Sequence, residues 1–113
     1  MLNFKIKPKI LFICNQNQNR SKTAEELFKP KFDTKSAGLY TEKPVSRFQL
    51  KWADLIVVME KDQINTLNKR FPEECFKKRI LNIGIPDIFN HNQPELIKLL
   101  KKRFDEINNL ATL

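Results

Sequence analysis

The sequence predicts an α/β fold, a single domain with a doubly wound sheet of four parallel strands flanked by helices. Two observations support this prediction. Strand-like and helix-like segments alternate four times along the chain, as they do in the βα units that build a parallel sheet. Residues 54–59 also contain a continuous apolar run, as expected for a strand that is covered by helices on both faces. Ligands of such sheets bind beyond the carboxyl ends of the strands.

The first half of the chain contains two predicted strands, each followed by a helical pattern. Residues 9–14 form a buried strand that ends in a cysteine, and residues 21–30 follow it as a helix. Residues 32–37 form a short second strand that Gly38 closes, because glycine tolerates the backbone conformations of tight turns. Residues 45–53 show a weaker helical period.

The second half repeats the pattern with longer helices. Residues 54–59 form the third strand, 61–71 a helix and 79–85 the fourth strand. Pro94 then opens a long helix, since proline is favoured at the first helical position. The side chains expected to point inward are Ile64, Leu67 and Phe71 in the first of these helices and Leu96, Ile97, Leu100, Phe104, Ile107 and Ala111 in the second.

Length and composition restrict the class of protein. The 113 residues are enough for one domain, 1–113, around a single core. No apolar run reaches membrane-spanning length, and the first residues are too polar for an export signal, so no membrane partner is expected. Two cysteines far apart in such a chain predict a reducing compartment, and therefore a cytoplasmic location.

The formal net charge of +8 is large for this length, and such a charge is one feature of nucleic-acid-binding proteins. The lysines are scattered along the helices and do not form one stripe, so a nucleic-acid partner is not expected. The charge better suits the attraction of anionic phosphoproteins. One histidine, with no cluster of carboxylates or cysteines, predicts no metal site, and no cofactor is expected.

The chemistry is expected in the loop between the first strand and the first helix. Cys14 ends the strand, and Arg20 and Ser21 start the helix. The loop N–H groups and the helix N-terminus favour a bound anion and the thiolate form of Cys14, and the planar fork of Arg20 matches two phosphate oxygens. The pattern predicts a phosphate-binding site with a thiol nucleophile. Five polar residues complete the loop: Asn15, Gln16, Asn17, Gln18 and Asn19.

These residues also have ordinary structural interpretations. Cys14 could be a buried core thiol and Ser21 a helix N-cap. Arg20 could be a surface side chain, but a cation at a helix N-terminus is unfavourable unless an anion joins it. A loop folded around an anion needs a residue at positive φ. This loop has no glycine, and its three asparagines are the residues that best tolerate that conformation.

The spacing of Cys14, Arg20 and Ser21 resembles the signature of cysteine-based phosphatases. The position near the N-terminus, Asn17 in the loop and Thr23–Glu25 after it narrow the resemblance to the low-molecular-weight protein tyrosine phosphatase superfamily. Within it, the chain is most similar to a short branch of predicted protein tyrosine phosphatases. Four further stretches resemble the family in the same order: Ser36–Gly38, Trp52–Glu60, Phe71–Glu73 and Pro86–Phe89.

The resemblance implies a metal-free hydrolase that forms a cysteinyl-phosphate on Cys14. Its substrates would be phosphotyrosine proteins or small aryl phosphates, and its loop would bind phosphate or sulfate ions. The resemblance and the place of Asp87 after the fourth strand both favour Asp87 as the general acid; the structural alternative is a turn residue after Pro86 or a helix cap. Asn17 would have a structural role, and Ser21 would hydrogen-bond the thiolate. Tyr40 lies in the segment that walls the family's pocket, where it could stack on a substrate ring or be an ordinary surface tyrosine.

The chain departs from the family pattern at several positions. Gln16 replaces the usual glycine, Asn19 replaces a cysteine of many members, and Lys22 replaces a proline. The loop around Asp87 lacks the usual proline after the acid and the paired tyrosines.

Two other functions are compatible with the same loop. A non-catalytic phosphate or phosphopeptide binder would keep the loop and lose an efficient acid step, which the altered acid loop would explain. An arsenate reductase needs further cysteines to resolve its cysteine–arsenic adduct. Only Cys75 is available for that role, and its place at a helix end predicts an inert thiol.

Overall fold

Four parallel strands form one sheet within residues 7–111, which the computed structural model describes, with side chains described for residues 7–107. The strands are β1 (Lys9–Cys14), β2 (Asp33–Gly38), β3 (Leu55–Val58) and β4 (Arg79–Asn82), and their spatial order is β2–β1–β3–β4. The direction of winding reverses between β1 and β3, which makes this the topological switch point of a doubly wound sheet. The predicted fold class is confirmed.

Helices cover both faces of the sheet. On one face lie α1 (Arg20–Phe28) and α5 (Pro94–Ala111), and on the other lie α2 (Arg47–Trp52), α3 (Lys61–Arg70) and α4 (Pro72–Lys77). Each face has its own apolar core, as expected where crossover helices cover both sides of a parallel sheet.

The central strand β1 contributes to both cores. Phe12 points to the α1/α5 face, whereas Leu11 and Ile13 point to the other, because successive side chains of a strand alternate. On the α1/α5 face, Phe28 stacks on Phe104 with 4.3 Å between ring centroids. Aromatic pairs of this kind contribute about 0.5–1.5 kcal/mol beyond the burial of their area. The stack ties the end of α1 to α5 and so helps to fix the helix that begins at the loop.

The helix predicted over residues 61–71 ends at Arg70, and a separate short helix, α4, begins at Pro72. Proline lacks a backbone N–H and cannot continue a helix, but it is favoured at the first position of a new one. The Phe71–Glu73 stretch is therefore a junction between two helices.

The fourth strand is shorter than predicted. It ends at Asn82, whose side-chain oxygen accepts a hydrogen bond from the Gly84 N–H, and Gly84 has a φ of 64°. Main-chain bonds to the neighbouring strand still continue beyond that point, because the Ile85 N–H donates to the Met59 carbonyl at 2.9 Å. The chain therefore reaches the carboxyl edge of the sheet at Ile85.

The inward face of α5 follows the prediction at Leu96, Leu100 and Phe104, which are buried, and Ile107 packs against them. Ile97 is only partly buried, and the side chain of Ala111 lies outside the described part of the chain. Among the helices of residues 7–111, none combines the length and the apolar character needed to cross a membrane.

Candidate active site

Cys14 is the last residue of β1 and lies at the switch point of the sheet. Its side chain is only 3% exposed, and its Cα is in register with that of Gly38 at the end of β2. The loop of residues 15–19 leaves this point, and α1 begins at once with Arg20. The strand end and the helix start are therefore brought to one place, as the sequence predicts.

The loop backbone has one residue in the left-handed region. Asn17 has a φ of 50°, which confirms that an asparagine takes the conformation that a glycine usually supplies. The start of the loop is attached to the segment after β2, because the Tyr40 N–H donates a hydrogen bond to the Asn15 carbonyl at 2.9 Å.

Gly38 allows this close approach of the two segments. A Cβ atom there would lie 3.1 Å from the carbonyl oxygen of Asn15 and 3.2 Å from Cβ of Asn17, and it would overlap Cγ2 of Thr41. The glycine is therefore favoured by the close packing of the loop. Gly38 is the last residue of β2 and does not have a positive φ, so the turn conformation that the sequence indicated is not the reason for it.

The Ser21 hydroxyl connects the thiol to the loop. Its Oγ lies 2.9 Å from Sγ of Cys14 and donates to Oδ1 of Asn17 at 2.7 Å. Ser21 is the second residue of α1 and not its N-cap, which is Asn19 without a side-chain capping bond. The N-cap alternative for Ser21 is therefore wrong, and its hydroxyl serves Cys14 and Asn17.

Arg20 is 1% exposed and is held by three groups, which come from the segments after β3 and after β4. Its Nη1 donates to Oε1 of Glu60 at 3.0 Å and to the carbonyl of Ile85 at 2.7 Å. Its Nε lies 3.7 Å from Oδ1 of Asp87. Because Nη1 is occupied by these acceptors, Nε and Nη2 form the edge that could bind two oxygens of an anion.

One cavity of about 110 Å³ opens at this point. Its walls combine the thiol, the guanidinium and a carboxylate, and no acidic residue lies in the first turn of α1 to compete with a bound anion. The arrangement can hold a tetrahedral oxyanion next to a thiol. The lining residues are Cys14, Gln16, Gln18, Asn19, Arg20 and Asp87.

Four predicted binding residues do not line this cavity: Asn15, Asn17, Ser21 and Tyr40. The side-chain oxygen of Asn15 accepts a hydrogen bond from Gln63, and that of Asn17 accepts one from the Ser21 hydroxyl. The side chain of Tyr40 is 54% exposed. The guanidinium carbon of Arg70 lies 5.1 Å from the centroid of its ring. Contact between Tyr40 and a substrate ring stays a prediction.

Sequence reasoning missed two residues of the site, Glu60 and Gln63. Glu60 follows β3 and forms an ion pair with Arg20. Gln63 is buried, and its side-chain oxygen accepts hydrogen bonds from the backbone N–H groups of Met59 and Glu60. The available signal was the position of Glu60, an acidic residue immediately after a buried strand at the ligand-binding edge.

The second cysteine lies away from the site. Cys75 belongs to α4 and packs in the core of the α2/α3/α4 face, whereas Cys14 packs in the core of the α1/α5 face. Burial, and then the charge of Glu74, raise the pKa of the Cys75 thiol above its ordinary value. Both effects disfavour the reactive thiolate at Cys75.

No cluster of three His, Cys, Asp or Glu side chains that could hold a metal ion is present in residues 7–111. The groups that converge on the cavity are those of thiol chemistry and anion binding.

Comparisons with known proteins show which fold the chain has. No protein-family model and no curated protein matches the sequence. Among solved structures, the tyrosine phosphatase AmsI of Erwinia amylovora matches with a TM-score of 0.75 and 20% identity, over 97% of this chain and 98% of its own. The tyrosine phosphatase Wzb of Escherichia coli K30, in complex with phosphate, matches with a TM-score of 0.74 and 19% identity, over 89% and 96%.

The chain has the fold of the low-molecular-weight protein tyrosine phosphatases. The YwlE arginine phosphatase of Geobacillus stearothermophilus has the same fold, with a TM-score of 0.65 and 21% identity over 91% of this chain and 87% of its own. At such identities the likeness establishes the phosphatase fold and leaves the substrate open.

Proposed function

We propose that the chain is a cysteine-dependent phosphatase, free of metal, that hydrolyses phosphotyrosine or similar aryl phosphates. The observation that supports this proposal is the shared cavity, where Cys14, Arg20 and Asp87 meet at the switch point of the sheet. A thiolate nucleophile, an oxyanion-binding fork and a carboxyl group are the parts that phosphoryl transfer to cysteine requires. The folds of named tyrosine phosphatases support the same activity.

In the first step, the Cys14 thiolate attacks phosphorus while Nε and Nη2 of Arg20 and the N–H groups of the α1 start bind the phosphoryl oxygens. The bond from phosphorus to the aryl oxygen breaks. The protonated carboxyl of Asp87 donates its proton to that oxygen, so the products are a cysteinyl-phosphate and a neutral phenol.

In the second step, the Asp87 carboxylate takes a proton from a water molecule as its oxygen attacks phosphorus. The sulfur–phosphorus bond breaks, inorganic phosphate forms, and the electron pair returns to Cys14. Ser21 lies 2.9 Å from the sulfur and can donate to the leaving thiolate. The aspartic acid is thereby protonated again and ready for the next cycle.

The proposed preference for aryl phosphates follows from the depth of the thiol. Cys14 is 3% exposed, so a substrate must carry its phosphate some distance into the cavity. A tyrosine ring places phosphate farther from the peptide backbone than a serine side chain does. The substrate class would be set by this reach.

An arginine phosphate is the main competing substrate, because one protein of this fold is named an arginine phosphatase. A phosphoarginine side chain also reaches far from its backbone, but its leaving group is a guanidine nitrogen. A direct comparison of phosphotyrosine, phosphoarginine and phosphoserine peptides of one sequence would decide between these substrates.

The test of the proposed function is Cys14-dependent turnover of p-nitrophenyl phosphate and of these peptides. Cys14→Ser should abolish turnover, whereas the matched variant Cys75→Ser should retain it, because Cys75 lies in the other core. Phosphate binding without turnover would instead indicate a non-catalytic binder. Thiol oxidation that depends on arsenate and on Cys75 would indicate an arsenate reductase.

A further inference from the structure

Asp87 belongs to residues 86–93, the part of the connection between β4 and α5 that lies beyond Ile85, and this segment, here called the acid loop, needs to be held in place. The Asp87 side chain is 56% exposed, and its ion pair with Arg20 spans 3.7 Å. A side chain so exposed is not fixed by its own packing. Its position relative to Cys14 must therefore come from the anchoring of the loop backbone.

The near end of the loop is anchored on α1. Nη1 of Arg20 donates to the carbonyl of Ile85 at 2.7 Å, two residues before Asp87. This hydrogen bond is buried, and it joins the guanidinium that binds phosphate to the segment that positions the acid.

The far end of the loop is anchored on the same helix. The Asn92 N–H donates to Oγ1 of Thr23 at 2.9 Å, and Nδ2 of Asn92 donates to Oε2 of Glu26 at 3.1 Å. Nε2 of His91 lies 3.2 Å from the same Glu26 oxygen. Asn92 has a φ of 58°, a left-handed conformation that asparagine tolerates and that turns the chain back towards α1.

The three anchoring residues of α1 are Arg20, Thr23 and Glu26. They are spaced three residues apart and form one continuous row along the helix surface. A single rigid element therefore presents its N-terminus to the phosphate site and holds both ends of the acid loop.

We propose that Thr23 and Glu26 are positioning residues for the general acid. This inference rests on the proposed function. Both side chains act through the loop backbone at residues 91–92 and place Asp87 at the distance from Cys14 that protonation of a leaving group requires. Neither residue lines the cavity or touches the reacting atoms.

The first experiment measures kcat and KM of Glu26→Ala on a series of aryl phosphates whose leaving groups differ in pKa. We expect kcat to fall roughly tenfold for the poorest leaving groups, because displacement of a catalytic group by a fraction of an ångström is costly. The loss should shrink for good leaving groups, which need little protonation, and KM should stay near that of the unaltered protein.

Three further variants accompany this experiment, one as a second test and two as controls. Glu95→Ala removes the same charge from the exposed start of α5 and should leave kcat unchanged. Thr23→Val removes the acceptor of the Asn92 N–H and should resemble Glu26→Ala, whereas Thr23→Ser keeps the hydroxyl and should restore activity. Glu26 is about half exposed, so its replacement should not prevent folding.

The second experiment combines Glu26→Ala with Asp87→Asn. If Glu26 acts only through the acid, the double variant should be no slower than Asp87→Asn alone. A loss that is equal for all leaving groups, or that multiplies with the loss of Asp87→Asn, would overturn the inference and leave the proposed function intact. Absence of Cys14-dependent turnover in the unaltered protein would overturn both.

Discussion

Ser21 has one hydroxyl hydrogen and two neighbours that can accept it. The hydrogen goes to Asn17 while Cys14 is a thiol, and the thiol hydrogen can then point to Oγ of Ser21. When Cys14 ionises, the hydroxyl can turn to the sulfur at the cost of the bond to Asn17. The stability of the thiolate is therefore coupled to the conformation of the loop.

Asp87 is the residue whose proposed role is easiest to test by substitution. We expect Asp87→Asn to lower kcat by roughly 10²–10⁴ for substrates with poor leaving groups, as expected for lost general-acid catalysis. A good phenolate departs unprotonated, so the loss should shrink as the leaving-group pKa falls. Steady-state kinetics on substituted phenyl phosphates would measure this slope. A small loss, equal for all substrates, would reduce Asp87 to a turn residue.

The two cysteines should differ in reactivity. Burial and the charge of Glu74 raise the pKa of the Cys75 thiol, so its thiolate fraction at neutral pH is smaller than that of a free thiol. We expect iodoacetamide to alkylate Cys14 first, with inorganic phosphate protecting it, and Cys75 to react appreciably only at alkaline pH. Mass spectrometry of peptides after timed labelling would show the order. Equal rates at both sites would contradict a special environment at Cys14.

At the scale of elements, the sequence predicted those features that depend on local pattern. The apolar run of β3 and the cysteine at the end of β1 were readable because a buried strand and a polar loop have distinct compositions. The start of α4 could not be predicted, because Pro72 equally suits the end of one helix and the start of the next. The roles of Glu60 and Gln63 were not predicted, because their hydrogen bonds to Arg20 and Asn15 join residues that are far apart in the sequence.

Gln63 is the residue that ties the start of α3 to the loop. Its Oε1 accepts the N–H groups of Met59 and Glu60, and its Nε2 donates to Asn15 at 3.0 Å. Gln63→Leu would leave these groups without partners, at a cost of about 1–3 kcal/mol for each that stays buried. We therefore expect a free energy of unfolding lower by at least about 2 kcal/mol, measured by urea denaturation.

A matched variant separates the two functions of Gln63. Gln63→Glu keeps an acceptor for the backbone N–H groups but loses the donor to Asn15, so it should disturb the loop more than the helix start. The exposed Asn65→Ala on the same helix should change neither stability nor kcat/KM appreciably. Unfolding free energies unchanged in Gln63→Leu would show that water replaces all three contacts.

At the scale of the whole molecule, the sheet topology collects the site from distant parts of the chain. Cys14 ends β1, Glu60 follows β3, and Asp87 follows β4, so all three lie at the carboxyl edge of the parallel strands. The convergence of Cys14 and Asp87 was predictable from the alternation of strands and helices alone, whereas the part taken by Glu60 was not. The distances within the site were not, because they depend on side-chain packing between the two cores.

The net charge of +8 should act on the whole molecule as an attractive field for anionic substrates. Salt screens this field over about 8–10 Å at physiological ionic strength. Added salt should therefore slow the association of enzyme and substrate more than it slows the chemical step. We expect kcat/KM for a phosphotyrosine peptide with acidic flanking residues to fall steeply as sodium chloride is raised, while kcat stays nearly constant. The same peptide with neutral flanks should show a weaker dependence, because only the phosphate is then attracted. Equal dependence for both peptides would place the charge effect at the phosphate-binding loop itself, and the surface lysines would then have no part in substrate capture.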